Sequence, residues 1–139
     1  MVLISPENEV LLLHRVKTST SFASAHVFPG GNISPRQDGE FAVSLEDPRR
    51  HFDAINYRRA AIRELFEESG ILLARDTTAA TPGRLVRVDE TEREKGRHDI
   101  HNNNIVFGEW LKEQNANAEM DTGISSFFFS YGISPGGFG

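Results

Sequence analysis

Residues 56–68 carry the strongest secondary-structure signal in this chain. Apolar side chains recur there at helical spacing, which predicts an amphipathic helix. These apolar side chains are Tyr57, Ala60, Ala61, Leu65 and Phe66. Gly70 follows, where a helix C-terminus favours glycine, and residues 71–73 then form an apolar run that predicts a strand. A helix of this kind beside apolar strands favours an α/β or α+β domain.

The first 30 residues predict strands. Residues 2–4 and 9–16 are β-like runs separated by a polar turn, which indicates a hairpin. Residues 11–13 are continuously apolar rather than alternating, so we expect that strand to be covered on both faces. Residues 26–28 predict another short strand, which the following Pro-Gly-Gly at 29–31 ends.

The rest of the chain is more polar and less regular. Residues 32–53 predict a long inserted loop, and residues 74–83 predict a second loop. Residues 84–89 are typical of an edge strand, and residues 90–104 of a strongly polar, solvated segment. Residues 106–114, around the single tryptophan, predict a short amphipathic helix.

The composition excludes several classes of protein. The 139 residues suit one domain, and without Cys there is no disulfide, Cys-based zinc site or thiol nucleophile. A formal charge of −5 argues against a nucleic-acid binder, whose affinity comes from Lys and Arg on phosphates. The apolar runs are far shorter than the roughly 20 residues of a membrane span. The sequence predicts a soluble, intracellular protein without a membrane partner and carries no targeting signal; its oligomeric state stays open.

Three glutamates on the predicted helix indicate chemistry. Glu64, Glu67 and Glu68 stand at i, i+3 and i+4, so their carboxylates share one face. Arg63 lies four residues before Glu67, but one guanidinium cannot balance three acids. Mg²⁺ or Mn²⁺ can, because hard divalent cations prefer carboxylate oxygen ligands. The glycines of the 28–31 turn allow backbone groups to approach a metal ion or a phosphate closely.

This arrangement resembles the Nudix box, the signature of the Nudix hydrolases. The family pattern ends in Arg-Glu-apolar-any-Glu-Glu-any-Gly-apolar, and residues 63–71 match every fixed position. The upstream half of the box departs from the pattern. Gly31 lies 32 residues before Arg63, and Ile55 stands where the box has a glutamate; Asp53 is the candidate to replace that acid.

The enlarged spacing after Phe-Pro-Gly-Gly resembles the branch of peroxisomal or mitochondrial acyl-coenzyme A diphosphatases. The resemblance covers residues 2–121 and implies a Nudix domain over 1–121, an α/β/α sandwich with a mixed sheet and an insertion at 32–55 within the box. Residues 122–139 carry no charge and are rich in Phe and Gly. They are interpreted either as a final apolar strand or as a tail outside a domain that is truncated at its C-terminal end.

The resemblance implies hydrolysis of the diphosphate in a small nucleoside-diphosphate derivative, with coenzyme A or an acyl-coenzyme A as the candidate. It assigns Mg²⁺ or Mn²⁺ to Glu64, Glu67 and Glu68, with Gly30 or Gly31 contributing a backbone carbonyl. Gly31 is also the candidate substrate contact, and Arg63 would orient the glutamates. Glu64 is the candidate base. The alternative base is a later acid, and the later acids are Glu90, Glu92, Glu109 and Asp121.

Less specific interpretations stay open beside this one. The chain is alternatively a non-catalytic remnant or a binding module, in which the three glutamates form a solvated helix face. His98 and His101 suggest a metal pair, but a solvated loop is favoured for so polar a segment. The arginines between residues 84 and 97 alternate with acids, which favours a mixed exposed surface over a phosphate-binding one.

Overall fold

A computed structural model describes residues 1–19, 22–40, 44, 46–48, 54–78 and 83–118. The predicted tail at 122–139, Asp121 and Asp53 lie outside the described residues. The chain divides into two compact units, one of Val2–Phe28 and one of Met1 with the described residues from Pro29 onward. The described part of the chain is mixed α/β, with four helices and two small antiparallel sheets.

The Val2–Phe28 unit contains two short antiparallel strands. Strand β1 (Leu13–His14) pairs with β2 (His26–Val27). An isolated antiparallel bridge joins Ile4 to Val10 across the predicted turn. Strand β2 confirms the strand predicted at 26–28. The bridge confirms the turn between residues 2–4 and 9–16, but only Leu13–His14 of these two runs is a regular strand.

Coverage of this hairpin is one-sided. Leu12 is 44% exposed, whereas Leu11 and Leu13 are half-buried. The prediction that residues 11–13 are covered on both faces is wrong. Successive side chains of a strand point to opposite faces, so Leu12 lies on an exposed face and Leu11 and Leu13 lie on the other.

The second unit is organised around helix α2 (Ile55–Ser69), which confirms the predicted helix. Gly70 ends the helix in the left-handed region at φ 75°, and its N–H donates to the carbonyl of Phe66. Leu65 and Phe66 are completely buried. Burying an apolar side chain of this size contributes about 1.5–3 kcal/mol, so this face of α2 is a principal anchor of the core.

Two further helices complete that core. Helix α3 (Glu90–His101) and helix α4 (Phe107–Glu113) follow in sequence, and α4 confirms the amphipathic helix predicted over 106–114. Phe66 stacks on Trp110 with ring centroids 4.8 Å apart and on Phe107 at 6.0 Å. The polar segment over 90–104 is thus mostly a helix, and the solvated loop predicted there is wrong.

Helix α3 forms despite its polarity because its ends and charges favour it. The Asp89 carboxylate caps the helix by accepting from the N–H groups of Thr91 and Glu92. Lys95 and Asp99 pair at i,i+4 with a distance of 3.0 Å. Only Gly96 and Ile100 are buried, so the apolar periodicity that predicts helices is nearly absent.

The first strand of the second sheet begins three residues later in the chain than predicted. Strand β3 (Ala74–Asp76) pairs antiparallel with β4 (Ala116–Ala118), and residues 71–73 precede the strand without joining it. Residues 74–76, predicted as the start of a loop, form the strand. The predictions of a strand at 71–73 and of a loop from residue 74 are therefore wrong. An isolated bridge from Arg75 to Leu85 confirms part of the edge strand predicted at 84–89.

The predicted loop at 32–53 contains a short helix, α1 (Pro35–Asp38). Ser34 caps it and Pro35 occupies its first turn, an arrangement that favours helix initiation. Gln37 and Asp38 are buried, so this part of the segment packs into the second unit rather than extending into solvent. No helix among the described residues has the length and hydropathy needed to cross a membrane.

Candidate functional site

Helix α2 presents the four predicted charged residues along one side. The side chain of Arg63 is 5% exposed, that of Glu67 is 10% exposed and that of Glu64 is 15% exposed. Glu68 is the exposed member of the set. A solvated helix face does not bury three charged side chains to this degree, so these groups depend on one another for compensation.

Arg63 is the centre of that compensation. Its Nη1 lies 2.8 Å from a carboxylate oxygen of Glu64 and 2.8 Å from one of Glu67. Its Nη2 donates to the carbonyl of Asn32 at 3.0 Å. One guanidinium thus holds two of the three predicted metal-ligating carboxylates on the same side of α2.

The other edge of the guanidinium is bound by Asp38, a residue that sequence reasoning missed. Nε and Nη2 of Arg63 donate to the two carboxylate oxygens of Asp38, each at 2.9 Å. Asp38 is completely buried and also accepts from the Ser34 N–H at 2.8 Å. A signal for α1 was present, because Ser34 with Gln37 three residues later is typical of a helix-starting capping box.

The Pro-Gly-Gly turn reaches the same carboxylates. The Gly30 N–H donates to Oε2 of Glu68 at 2.9 Å, across 38 residues of sequence. A Cβ atom added to Gly31 would lie 2.5–2.7 Å from the Glu64 carboxylate. Gly31 therefore allows a close approach that a larger residue would obstruct. The structure brings together Gly30, Gly31, Glu64 and Glu68, as well as Arg63 and Glu67.

Helix α3 supplies two further contacts to Glu67 that sequence reasoning missed. Arg97 donates from Nη2 and Nε to the Glu67 backbone carbonyl at 2.9 and 3.2 Å. Nδ1 of the exposed His101 lies 3.2 Å from Oε2 of Glu67. The hydrogen bonds from Arg97 satisfy a carbonyl in the last turn of α2, where no intrahelical partner is available.

Burial and charge shift the ionisation of two of these groups. Burial raises the pKa of Glu64 above its ordinary value of 4.5, and the neighbouring Arg63 opposes that shift. Burial by itself would lower the pKa of Arg63, but hydrogen bonds to Asp38 and Glu67 raise it above its ordinary value. Arg63 therefore stays charged, while Glu64 takes a proton more readily than an ordinary glutamate.

The donor set suits a hard divalent cation, because it consists of carboxylates and backbone groups of a turn. Within the described ranges, no group of three or more His, Asp or Glu side chains stands close enough to hold a metal ion. Arg63 instead occupies the position between Glu64 and Glu67, and Glu68 is turned to Gly30. Convergence of the three carboxylates on one ion requires their side chains to rotate.

The later acids do not extend this site through any hydrogen bond or ion pair among the described residues. Glu90 and Glu92 lie in the first turn of α3, and Glu109 lies in the first turn of α4; all three are exposed.

Comparison of the chain with protein-family models, with curated proteins and with solved structures found no match in any of the three.

Proposed function

We propose that this chain is a divalent-metal-dependent hydrolase that cleaves the diphosphate of a nucleoside-diphosphate derivative, with coenzyme A or an acyl-coenzyme A as the candidate. One observation carries the proposal. The Gly30–Gly31 turn and the glutamates of α2 are more than 30 residues apart in sequence, yet they are in direct contact. This contact between the two separated parts of the Nudix-like pattern supports a single site of the kind that a Nudix-type α/β/α sandwich would carry.

The residues that would hold Mg²⁺ or Mn²⁺ are Glu64, Glu67 and Glu68, with a backbone carbonyl of Gly30. A bound cation would neutralise the diphosphate and the charge that develops on its oxygens during cleavage. Three carboxylates on adjacent turns of one helix offer the oxygen ligands that such a cation prefers. Arg63 would keep Glu64 and Glu67 on the same side of α2, through the contacts of 2.8 Å that it already makes.

The reaction proposed is hydrolysis of the phosphoric anhydride. The oxygen of a water molecule bonds to one phosphorus, the bridging P–O bond breaks, and the diphosphate becomes two phosphate monoesters. The water loses its protons, and Glu64 is the proposed acceptor of the first. Burial raises the pKa of Glu64, which makes its carboxylate a stronger base than an exposed glutamate.

A non-catalytic binding domain is the second candidate. The observation that favours it is the place of Arg63, which already supplies a positive charge to Glu64 and Glu67. A chain that balances these carboxylates internally has less need of a metal ion. The two candidates differ in whether Mn²⁺ binds to the folded protein.

Thermal unfolding with and without millimolar Mn²⁺ tests the proposal. Trp110 is 4% exposed in the core beside α2, so its fluorescence reports unfolding of the unit that carries the site. A ligand that binds only the native state raises the apparent stability, by about 2.7 kcal/mol when its concentration is a hundred times its Kd. We expect a cooperative transition that moves to higher temperature with Mn²⁺ and not with NaCl at equal ionic strength.

Turnover is then measured with coenzyme A and acetyl-coenzyme A in Mn²⁺, with a metal chelator as the control. Formation of two phosphate monoesters that the chelator abolishes is the expected result. A transition indifferent to Mn²⁺, together with no cleavage of either compound, would favour the binding domain.

A further inference from the structure

We propose that His14 and His26 form a second metal site, which binds a divalent ion that prefers imidazole ligands, such as Cu²⁺ or Zn²⁺. The two residues face each other across the β1–β2 ladder, within the Val2–Phe28 unit. This site shares no residue with the glutamates of α2, and it does not rest on the proposed hydrolase function. The two sites also differ in chemistry, because Mg²⁺ and Mn²⁺ prefer oxygen ligands.

The register of the ladder brings the two imidazoles together. His14 pairs directly with His26 in the antiparallel sheet. At the next position the Arg15 N–H donates to the Ala25 carbonyl at 3.0 Å, so those two residues form a hydrogen-bonded pair. Hydrogen-bonded and non-hydrogen-bonded pairs alternate along an antiparallel ladder. His14 and His26 are therefore a non-hydrogen-bonded pair, the kind whose side chains lie closest to each other.

The separation of the two rings fits a shared ion. Their centroids lie 4.9 Å apart, and their planes are inclined by 34°. An ion that binds two imidazole nitrogens at about 2.0–2.1 Å each places the nitrogens roughly 3–3.5 Å apart and the ring centroids roughly 4.5–5 Å apart. The ladder thus holds the rings at the required distance, and rotation of the side chains sets which nitrogens face the ion.

The surroundings of the pair favour imidazole-binding ions over hard ones. Both histidines are exposed, so water can complete the coordination shell. The residues two positions from either histidine are Leu12, Val16, Ser24 and Phe28, and none of them has a carboxylate. A structural zinc site has four protein ligands, whereas this pair supplies two and leaves the remaining positions open.

The test is titration of the folded chain with Cu²⁺, followed by the electron paramagnetic resonance of the bound ion, whose splitting counts nitrogen ligands. We expect one Cu²⁺ per chain at the tightest site, with two imidazole nitrogens bound. Excess Mg²⁺ should leave this Cu²⁺ in place, because Mg²⁺ prefers oxygen ligands. Fewer than two nitrogens, or displacement of the ion by Mg²⁺, would overturn the proposal.

His14→Gln and His26→Gln each remove one ligand from an exposed position. A change in the partner of a metal ligand typically weakens binding 10–100-fold, so we expect loss of a ligand itself to raise the Kd for Cu²⁺ at least about tenfold in each variant. Two histidines that bind separate ions would behave differently. Each variant would then lose one of two sites at unchanged Kd, and that result would overturn the proposal.

His98→Gln is the matched control, because it removes an exposed histidine of α3, three residues before His101. We expect the Kd for Cu²⁺ to be unchanged in this variant. A rise equal to that of His14→Gln would overturn the proposal, because the ion would then lie on α3. If a variant does not fold, the nitrogen count and the Mg²⁺ competition of the wild type decide.

Failure of this proposal is separate from failure of the hydrolase proposal. A chain that binds Cu²⁺ through His14 and His26 but binds no Mn²⁺ would overturn the hydrolase and leave the histidine site standing. A chain that binds Mn²⁺ but holds Cu²⁺ through fewer than two nitrogens would overturn the histidine site alone.

Discussion

The N–H of Gly30 donates a hydrogen bond of 2.9 Å to the Glu68 carboxylate, and the two residues are 38 positions apart. The contact joins a tight turn to the only exposed glutamate of the α2 set. A backbone donor is present whatever the side chain, so this bond orients Glu68 without a second charged residue. The remaining capacity of the carboxylate stays open to solvent and to a metal ion.

Glu68→Gln tests that remaining capacity. The amide oxygen of glutamine can still accept from the Gly30 N–H, so we expect an unchanged Tm in metal-free buffer. Loss of the charge removes a proposed metal ligand, and we expect turnover to fall at least about a hundredfold, measured as phosphate-monoester formation in Mn²⁺. Glu113→Gln, an exposed change in the last turn of α4, is the control. Near-wild-type turnover of Glu68→Gln would contradict the metal assignment.

Gly31→Ala tests the close approach of the turn to Glu64. The added methyl would displace the Glu64 carboxylate, which is the flexible end of a side chain, so we expect the fold to survive and turnover to fall about tenfold or more. Gly108→Ala is the matched control, because a Cβ atom there meets nothing within 4 Å. Alanine within helix α4 should raise stability by about 0.5–1 kcal/mol, with turnover unchanged. Equal turnover in the two variants would exclude a role for the Gly31 approach.

Gly96→Ala tests the packing of α3 on α4. In an open helix this change would be stabilising, but a Cβ atom at Gly96 overlaps the indole of Trp110. We expect the overlap to dominate and to lower the free energy of unfolding by about 1–3 kcal/mol, measured by urea denaturation. The emission maximum of Trp110 should shift as its surroundings loosen. A variant as stable as wild type would show that the two helices can separate without loss.

Glu64→Gln tests the sign of the pKa shift at that residue. Burial raises the pKa of Glu64 in the folded state, so the ionised form is disfavoured by folding at pH 7 and this penalty is absent below the ordinary value of 4.5. In metal-free buffer we therefore expect Glu64→Gln to have a higher Tm than wild type at pH 7. The difference should shrink as the pH falls through the pKa of the folded protein and then through 4.5.

Loss of turnover should accompany that gain in stability, by roughly 10²–10⁴-fold if Glu64 is the base. A lower Tm for Glu64→Gln at pH 7 would instead show that the ion pair with Arg63 outweighs burial. Measurement of the Tm of the wild type and of the variant at pH 7 and below pH 4.5 serves as the internal control.

Local patterns predicted the elements that have apolar periodicity. Helix α2, its end at Gly70 and helix α4 followed from the spacing of residues such as Leu65 and Trp110. Helix α3 was missed because it buries only Gly96 and Ile100, although Asp89 with Glu92 three residues later is a recognisable helix start. Residues 71–73 were predicted as a strand because they are apolar, but apolar content alone does not fix where a strand begins.

Some of the contacts that build the site could also be predicted from sequence spacing. The shared face of Glu64, Glu67 and Glu68 follows from helical spacing, and so does the proximity of Arg63 to Glu67. The contact from Asp38 to Arg63 spans 25 residues, and a single sequence holds no signal for which acid of a long polar segment is buried. Whether the three glutamates bind a metal ion stays a prediction.

The side chain of Asn56 joins the end of α1 to the start of α2. Its one amide group donates to the carbonyls of Asp38, Gly39 and Glu40, at distances of 2.8–3.1 Å. These hydrogen bonds hold the C-terminal end of α1 against the N-terminal end of α2. The side chain of Asn56 thus sets the spacing between the end of α1 and the start of α2, and with it the distance between the charged groups that the two helices carry.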